Sequence, residues 1–534
     1  MHYTLSWTNP NDHLYDIALR FTAPEDDPLL WLPAWRPGRY VIQNFAANVR
    51  EWSANVRKVG KSEWRAAARA GEEVVVSYRY YAAVLDGGSS FLDDEEAYFN
   101  GSNLFMCVDR LRREPALLTV AAPGDWPIET QLPRGDDGVF RARDYDHLID
   151  SPVIATAALT RHSFEESGAR IHVIVRGDGD FEPFLEPLRG VVRAHATLFG
   201  GLPLDEYKFL IHVRERWHGV EHESSASIVA KRSALDTDVF LSLCSHEFFH
   251  LWMVKRIVPA AFAPYDYLHE TPTRLLWAIE GITSYYGELA LVRAGVWDET
   301  RWLEHLREEI ETLENAPARR HLSLAQASFD AWLQPSMPEK LSFYNNGEVV
   351  AALLDLTLRS QSERSLDDVV HVLWRDRILG EDAIERAVAE VAGEELARDF
   401  FARYVDGVEP LPYEELLGRA AVAFDSASGE RLALGAKLTM MKIDSVTPEG
   451  SAMEAGLLPG DELIAIDGIR MTSNDDVERA FESLGEGEPV PVVIARAGAV
   501  QTRAMLPRRD PHVRITLRVT GESALREAWL RSDE

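Results

Sequence analysis

The decapeptide LCSHEFFHLW, Leu243 to Trp252, places two histidines four residues apart with a glutamate directly after the first. On a helix each residue advances about 100°, so His246 and His250 share a face with Cβ atoms about 5–6 Å apart. Two imidazoles at that spacing can grip one small cation, and Zn²⁺ suits imidazole and carboxylate donors. Glu247 stands one step round the helix. From there a carboxylate reaches a water beside the cation without becoming a ligand, which is the place of a general base. The flanking stretch DVFLSLCSHEFFHLWMV is apolar with helical periodicity, so the motif belongs to a largely buried helix. Two buried histidines and a glutamate without a shared task would be costly to desolvate.

A catalytic zinc site takes three protein ligands, so one must come from elsewhere. The nearest downstream carboxylates are Glu270 and Glu280. Glu270 lies in APYDYLHETPT, between Pro264 and Pro272, and reads as loop, as does its neighbour His269. Glu280 lies in LLWAIEGITSYYGELAL, an apolar helical stretch where an unpaired carboxylate is unfavourable. Glu280 is the expected ligand, Glu270 the alternative, and a Glu280 paired with some other residue the remaining possibility.

The elements that must position these residues come in blocks. A chain of 534 residues is too long for one core. Residues 1–167 read as β-rich, with alternation in YDIALRFTA and EEVVVSYRYYAAV. LPAWRPGRYVIQNFA is a Pro- and Gly-bearing loop among large aromatics, and the acidic run LDDEEAYF reads as an exposed loop. Residues 168–425 are mixed α/β and then helical, from FLEPLRGVVRAHATLFG onward. Residues 426–510 return to short strands with dense turn signals, and 511–534 form a charged tail with no predicted structure.

The net charge of −30, from 56 basic and 86 acidic residues, argues against a nucleic-acid partner. Two cysteines, Cys107 and Cys244, are too few for a secreted disulfide scaffold, and Cys244 reads as core packing. There is no basic-then-apolar leader and no apolar run of the roughly 18 residues a membrane span needs, so the sequence reads as cytoplasmic with no membrane partner.

HEFFH followed by WAIEGITSYYG resembles the gluzincin metallopeptidases, whose third ligand is the Glu of an E-G motif on the next helix. The gap between the two motifs, together with LPAWRPGRYVIQNFA, AYFNGSNLF and DHLIDSPVI, resembles the glycyl aminopeptidase family within that group, whose members carry a C-terminal PDZ domain. The resemblance implies a multidomain α+β chain. A β-rich domain over 1–167 would precede a thermolysin-like zinc catalytic domain with a helical lobe over 168–425, then a PDZ domain over 426–510 and the tail 511–534.

It also implies roles. In WHGVEHESSASIV, the family's Gly-x-x-Glu-type motif, whose Glu meets the substrate's free α-amino group, maps to Glu221 within Gly219-Val220-Glu221-His222. In LSFYNNGEVV, Tyr344 matches the Tyr of a Tyr-x-x-Gly helix start that donates to the developing oxyanion, with Tyr285 and Tyr286 as rivals. AGLLPGDELIAIDGIRM is similar to bacterial-protease PDZ domains, with Leu434, Gly435 and Ala436 presenting backbone N–H groups to a peptide end. The expected activity is zinc-dependent removal of small N-terminal residues, Gly or Ala, from peptides with a free amine. The alternatives are a zinc endopeptidase whose PDZ domain selects the substrate, and a non-catalytic adaptor.

Overall fold

The computed structural model describes residues 1–122, 126–235, 237–334 and 340–531. It divides into two compact units. The first comprises Met1–Trp302, Leu322–Leu411 and Ala524–Glu534; the second comprises Leu303–His321 and Pro412–Ser523.

The first unit begins with three sheets. The largest runs in the order Phe140–Ala142, Ala116–Val120, His2–Ser6, Leu14–Thr22, Glu73–Tyr81, Val49–Arg50. Leu14–Thr22 and Glu73–Tyr81 pair antiparallel from Leu14↔Tyr81 to Thr22↔Glu73, and both alternate buried with less buried residues, as their sequence pattern predicts. The buried set includes Tyr15, Ile17, Leu19, Phe21, Val74, Val76, Tyr78 and Tyr80.

The acidic run departs from expectation. Glu96–Phe99 is a strand of four buried residues. Glu96 is fully buried because Arg176 Nε and Arg214 Nη2 reach its Oε2 at 2.8 and 3.0 Å. Two guanidinium groups supply the charge compensation that lets a carboxylate leave water. They lie some 80 and 118 residues downstream, so the local composition does not announce them.

A five-stranded sheet follows, in the order Leu159–Glu166, Ala169–Arg176, Glu206–Val213, Ser225–Ala230, His218–Glu221. The helix Glu182–Phe199 carries the chain between the parallel strands Ala169–Arg176 and Glu206–Val213. His218–Glu221 is an edge strand, antiparallel to Ser225–Ala230 with Glu221 opposite Ala226. The helices Asp238–Phe249, Thr283–Arg293 and Asn345–Gln361 then form the helical part.

Contrary to expectation, the tail contributes a strand and a helix. Val513–Val519 pairs antiparallel with Val422–Ser428 in the second unit. The helix Ala524–Leu530 returns to the first unit, where the fully buried Trp529 donates its indole N–H to Tyr285 Oη at 2.9 Å. The second unit also holds a sheet ordered Ala436–Thr439, Lys442–Val446, Glu462–Ile466, Val490–Arg496, Ala499–Met505, around a core that includes Ile443, Leu463, Ile466, Phe481, Val492 and Ile494. Among the described residues no helix is long and apolar enough to cross a membrane.

Candidate active site

The helix Asp238–Phe249 carries His246 and Glu247, and His250 caps its end in helical geometry. The helix is pinned on both flanks. Ser245 Oγ donates to Gly287 O at 2.7 Å, which leaves His195 Nε2 as the donor to that oxygen at 2.9 Å. Glu280 lies not in regular α-helix but in a π-helical turn, Trp277–Ile282, that runs straight into Thr283–Arg293. Such turns widen a helix by one residue and are frequent at functional sites.

Three donor groups converge. The Nε2 atoms of His246 and His250 lie 3.2 Å apart, and Glu280 Oε2 is 3.7 Å from the first and 3.4 Å from the second. The far nitrogen of His250 faces Met253 O at 3.1 Å. A carbonyl only accepts, so Nδ1 holds the proton and Nε2 turns its lone pair inward in the neutral ring. Glu270 is exposed in a loop and takes no part.

The electrostatics favour a positive charge here. Burial depresses His250, but the hydrogen bond and charge of Glu280, with Glu221 and Glu247, overturn that and raise it to about 9. Glu280 is held well below the usual carboxylate range: the two imidazoles outweigh the effect of burial. Glu247 is pushed up to about 8, first by burial and then by the charges of Glu221 and Glu280. Its Oε2 is buried without a hydrogen-bond partner. Two converging imidazole nitrogens, an ionised carboxylate and an orphaned carboxyl oxygen fit a divalent cation, which would take the place of the His250 proton, with a water beside it.

Glu221 is buried on its edge strand, with an oxygen inside the same 4.8 Å cluster as donor atoms of Glu247 and His250. Gly219, two residues earlier, leaves the space Glu247 occupies, for a Cβ there would stand 2.1 Å from Glu247 Oε1. His222 and Glu223 turn away to serve other groups, Asp150 and Arg143.

Tyr344 immediately precedes the helix Asn345–Gln361, and its ring stacks over that of His246 at 6.2 Å. The residue is 38% exposed, and desolvation of its hydroxyl on the cleft side, with the facing carboxylates of Glu280, Glu221 and Glu247, holds it protonated. The rival tyrosines are committed elsewhere: Tyr285 donates to Asp355 at 2.6 Å and Tyr286 to Asp367 at 2.7 Å. Gly281 and Gly347 explain how Glu280 and Tyr344 come together. A Cβ on Gly281 would lie 2.4 Å from the Gly347 backbone, so the two segments touch main chain to main chain.

Two groups escaped the sequence reading. Tyr40, in the loop LPAWRPGRYVIQNFA, donates its hydroxyl to Glu280 Oε1 at 2.7 Å. Arg36, four residues before it, is buried near Glu221 and Asp86. The only local signal is an Arg-Pro-Gly-Arg-Tyr turn inside an aromatic loop, which says nothing about its distant partner. Beside Glu221 a cavity of about 270 Å³ is lined by Arg36, Asp150, Glu221, His222, Lys255 and Tyr265, among others. Cys244 is buried and its thiol is pushed up by burial, so it packs.

Three stretches of the chain match known domain families. Residues 2–157 match the Peptidase M61 N-terminal domain, residues 239–350 match the M61 glycyl aminopeptidase domain, and residues 442–496 match a PDZ domain. The chain superposes on an aminopeptidase N family protein from Idiomarina loihiensis with a TM-score of 0.93 and 28% identity, covering 99% of each chain. An M1 zinc metallopeptidase from Deinococcus radiodurans shares the fold at 16% identity, with a TM-score of 0.50 over 77% of this chain and 95% of that one. Proteins named as zinc metalloproteases from Rhizobium meliloti and Clostridium perfringens are 41% identical over 68 residues and 34% identical over 76 residues. These matches take in 13% and 14% of this chain and span only 18% and 22% of the length of those relatives. With both M61 domains matched in order, a PDZ domain behind them and a structural counterpart along nearly its whole length, the chain belongs to the M61 glycyl aminopeptidase family of zinc metallopeptidases.

Proposed function

We propose that this chain is a zinc aminopeptidase that hydrolyses the first peptide bond of peptides with a free N-terminus. The observation that carries the reading is the convergence of His246, His250 and Glu280 donor atoms beside two further buried carboxylates, Glu247 and Glu221. His246, His250 and Glu280 would hold the zinc. When bound, the ion supplies Lewis acidity, polarising the scissile carbonyl and acidifying water.

The side chains do the rest. Glu221 pairs with the substrate's α-ammonium in a shielded cleft, where a fixed carboxylate is worth most, and so sets the register at the first peptide bond. Glu247 accepts the proton of the attacking water and returns it to the leaving amine as the C–N bond breaks. Tyr344 donates to the oxyanion as charge develops, a contribution of several kcal/mol. No covalent intermediate is required.

We propose small N-terminal residues, Gly and Ala, as preferred substrates, as the family's name suggests. The cavity of about 270 Å³ beside Glu221 favours a second reading, in which a longer polar side chain is accepted. A panel of aminoacyl chromogenic substrates, run with and without chelator, decides. Glycyl and alanyl substrates should lead, and all cleavage should stop with chelator. Cleavage that survives chelation would sink the reading. An N-acetylated peptide separates exo- from endopeptidase, since its cleavage at an undiminished rate would favour a PDZ-directed endopeptidase.

In the second unit, the edge strand Ala436–Thr439 and the helix Asn474–Glu482 border an open groove of about 1340 Å³ lined by Leu432, Leu434, Leu438, Val477, Phe481 and Leu484. We propose that it takes a peptide C-terminus or an extended segment as an added strand, with Leu434, Gly435 and Ala436 at the peptide end. Titration with a peptide ending in an apolar residue should perturb the amides of residues 434–438, and an unchanged spectrum would reject the assignment.

A further inference from the structure

The third member of the metal cluster is held by a residue of the N-terminal β-rich region. Glu280 offers its Oε2 to the two imidazoles, while its Oε1 accepts the hydroxyl proton of Tyr40 at 2.7 Å. Tyr40 is buried, stacked on Phe262 at 6.1 Å and met edge-on by Trp332 at 6.3 Å and Phe343 at 6.0 Å. Its backbone is fixed as firmly as its ring. Gln334 Nε2 donates to Tyr40 O at 2.9 Å, Ala34 N donates to Tyr267 O at 2.7 Å, and Trp35 Nε1 donates to Asp266 O at 2.7 Å. The loop therefore meets Glu280 in one orientation.

A carboxylate in a dry site has two oxygens and a free torsion. With one oxygen tied to a rigid phenol, the torsion is set and the other oxygen has a single place to be. Partners of this kind, one bond removed from an ion, typically govern affinity by about 10–100-fold.

We propose that Tyr40 is a positioning residue for the metal: it orients Glu280, and through it the loop 33–44 and ion binding stabilise each other. The inference rests on the metal reading above and deepens it. Linkage makes the coupling reciprocal, so an ion that needs the Tyr40–Glu280 bond must in turn tighten the loop.

The experiment compares wild type and Tyr40→Phe, both stripped by chelator and then titrated with zinc against a chromogenic chelator. Tyr40→Phe keeps the ring and its packing and loses only the donor. Its zinc affinity should fall by about 10–100-fold, while the metal-free protein, though less stable for the unpartnered Glu280 oxygen, still unfolds in one cooperative transition. Its peptidase activity should recover as free zinc is raised by the same factor, which a purely structural defect would not allow. Affinity within about twofold of wild type overturns the proposal. Wild type that takes up no zinc at all overturns the metal reading itself, a distinguishable result. Hydrogen exchange of wild type provides an independent measurement should the variant fail to fold. Amides of residues 34–44 should exchange more slowly with zinc than without, and equal rates overturn the coupling.

Discussion

The proposed zinc site of the first unit and the proposed peptide groove of the second arrange polar groups in opposite ways. Around Glu280 the carboxylates are buried and most polar groups meet another side chain, down to a phenol bonded to one carboxylate oxygen. Around Ala436–Thr439 the groups on offer are main-chain ones on a sheet edge, and the groove mixes apolar side chains such as Leu434, Val477 and Phe481 with charged ones such as Arg431, Lys437 and Glu478. The difference reflects what each must do. Acid–base chemistry needs a carboxyl whose proton affinity is tuned by exclusion of water. Strand addition needs only a free backbone edge and pockets for alternate side chains. The first is destroyed by a single misplaced atom; the second tolerates many sequences.

The comparison breaks first at Glu247. Glu247→Gln keeps the shape and removes the proton acceptor, so kcat should fall by about 10²–10⁴-fold with zinc content intact. A loss of zinc in step with activity would make Glu247 a ligand instead. Tyr344→Phe should lower kcat by about 10²–10³-fold without changing zinc affinity. That contrasts with Tyr40→Phe, and if both variants lose zinc equally the two tyrosines share one role.

Gly281→Ala tests the main-chain contact that joins Glu280 to Tyr344. A methyl group 2.4 Å from the Gly347 backbone cannot fit without separating the two segments. Thermal or urea unfolding should show a loss of about 1–3 kcal/mol, and an unaltered midpoint would mean that the segments part freely.

The pH dependence sharpens the point about buried polar groups. His212 is fully buried beneath Tyr98, its two ring nitrogens are unpaired, and burial lowers its pKa to about 3. The unfolded chain binds that proton near pH 6.5, so between pH 6.5 and 3 it holds more protons than the folded one. The protonation difference therefore costs nothing above pH 6.5, and stability drains away as pH falls below it, by at most about 5 kcal/mol. His212→Phe should flatten that acid limb, and an identical limb would clear His212 of the effect. The smallest effect on catalysis belongs to the groove: Leu438→Asp should abolish peptide binding there while dipeptide hydrolysis barely changes. A marked fall in dipeptide turnover would contradict the separation of tasks.

How much of this was legible depended on range. The spacing of His246, Glu247 and His250 is local, and a helix converts it directly into geometry. Glu280 was legible because a carboxylate in an apolar stretch needs a reason, although the π-helical turn that presents it leaves no pattern in side-chain types. Gly219, Gly281 and Gly347 entered as motif letters and acquired physical meaning only when their neighbours were in place. Tyr40 stayed hidden because 240 residues separate it from Glu280 and a loop, not an element with a period, brings them together. Glu96 was misread for the same reason, since its two cations lie far along the chain.

The closing helix Ala524–Leu530 has a consequence for biosynthesis. Its Trp529 fills a slot against Tyr285, on the helix that continues from the Glu280 turn. Translation runs in one direction, so the ribosome must make the whole second unit before that plug emerges. Until then the hydrophobic slot stands open, and a nascent chain arrested in the second unit would expose greasy surface to whatever chaperone is at hand.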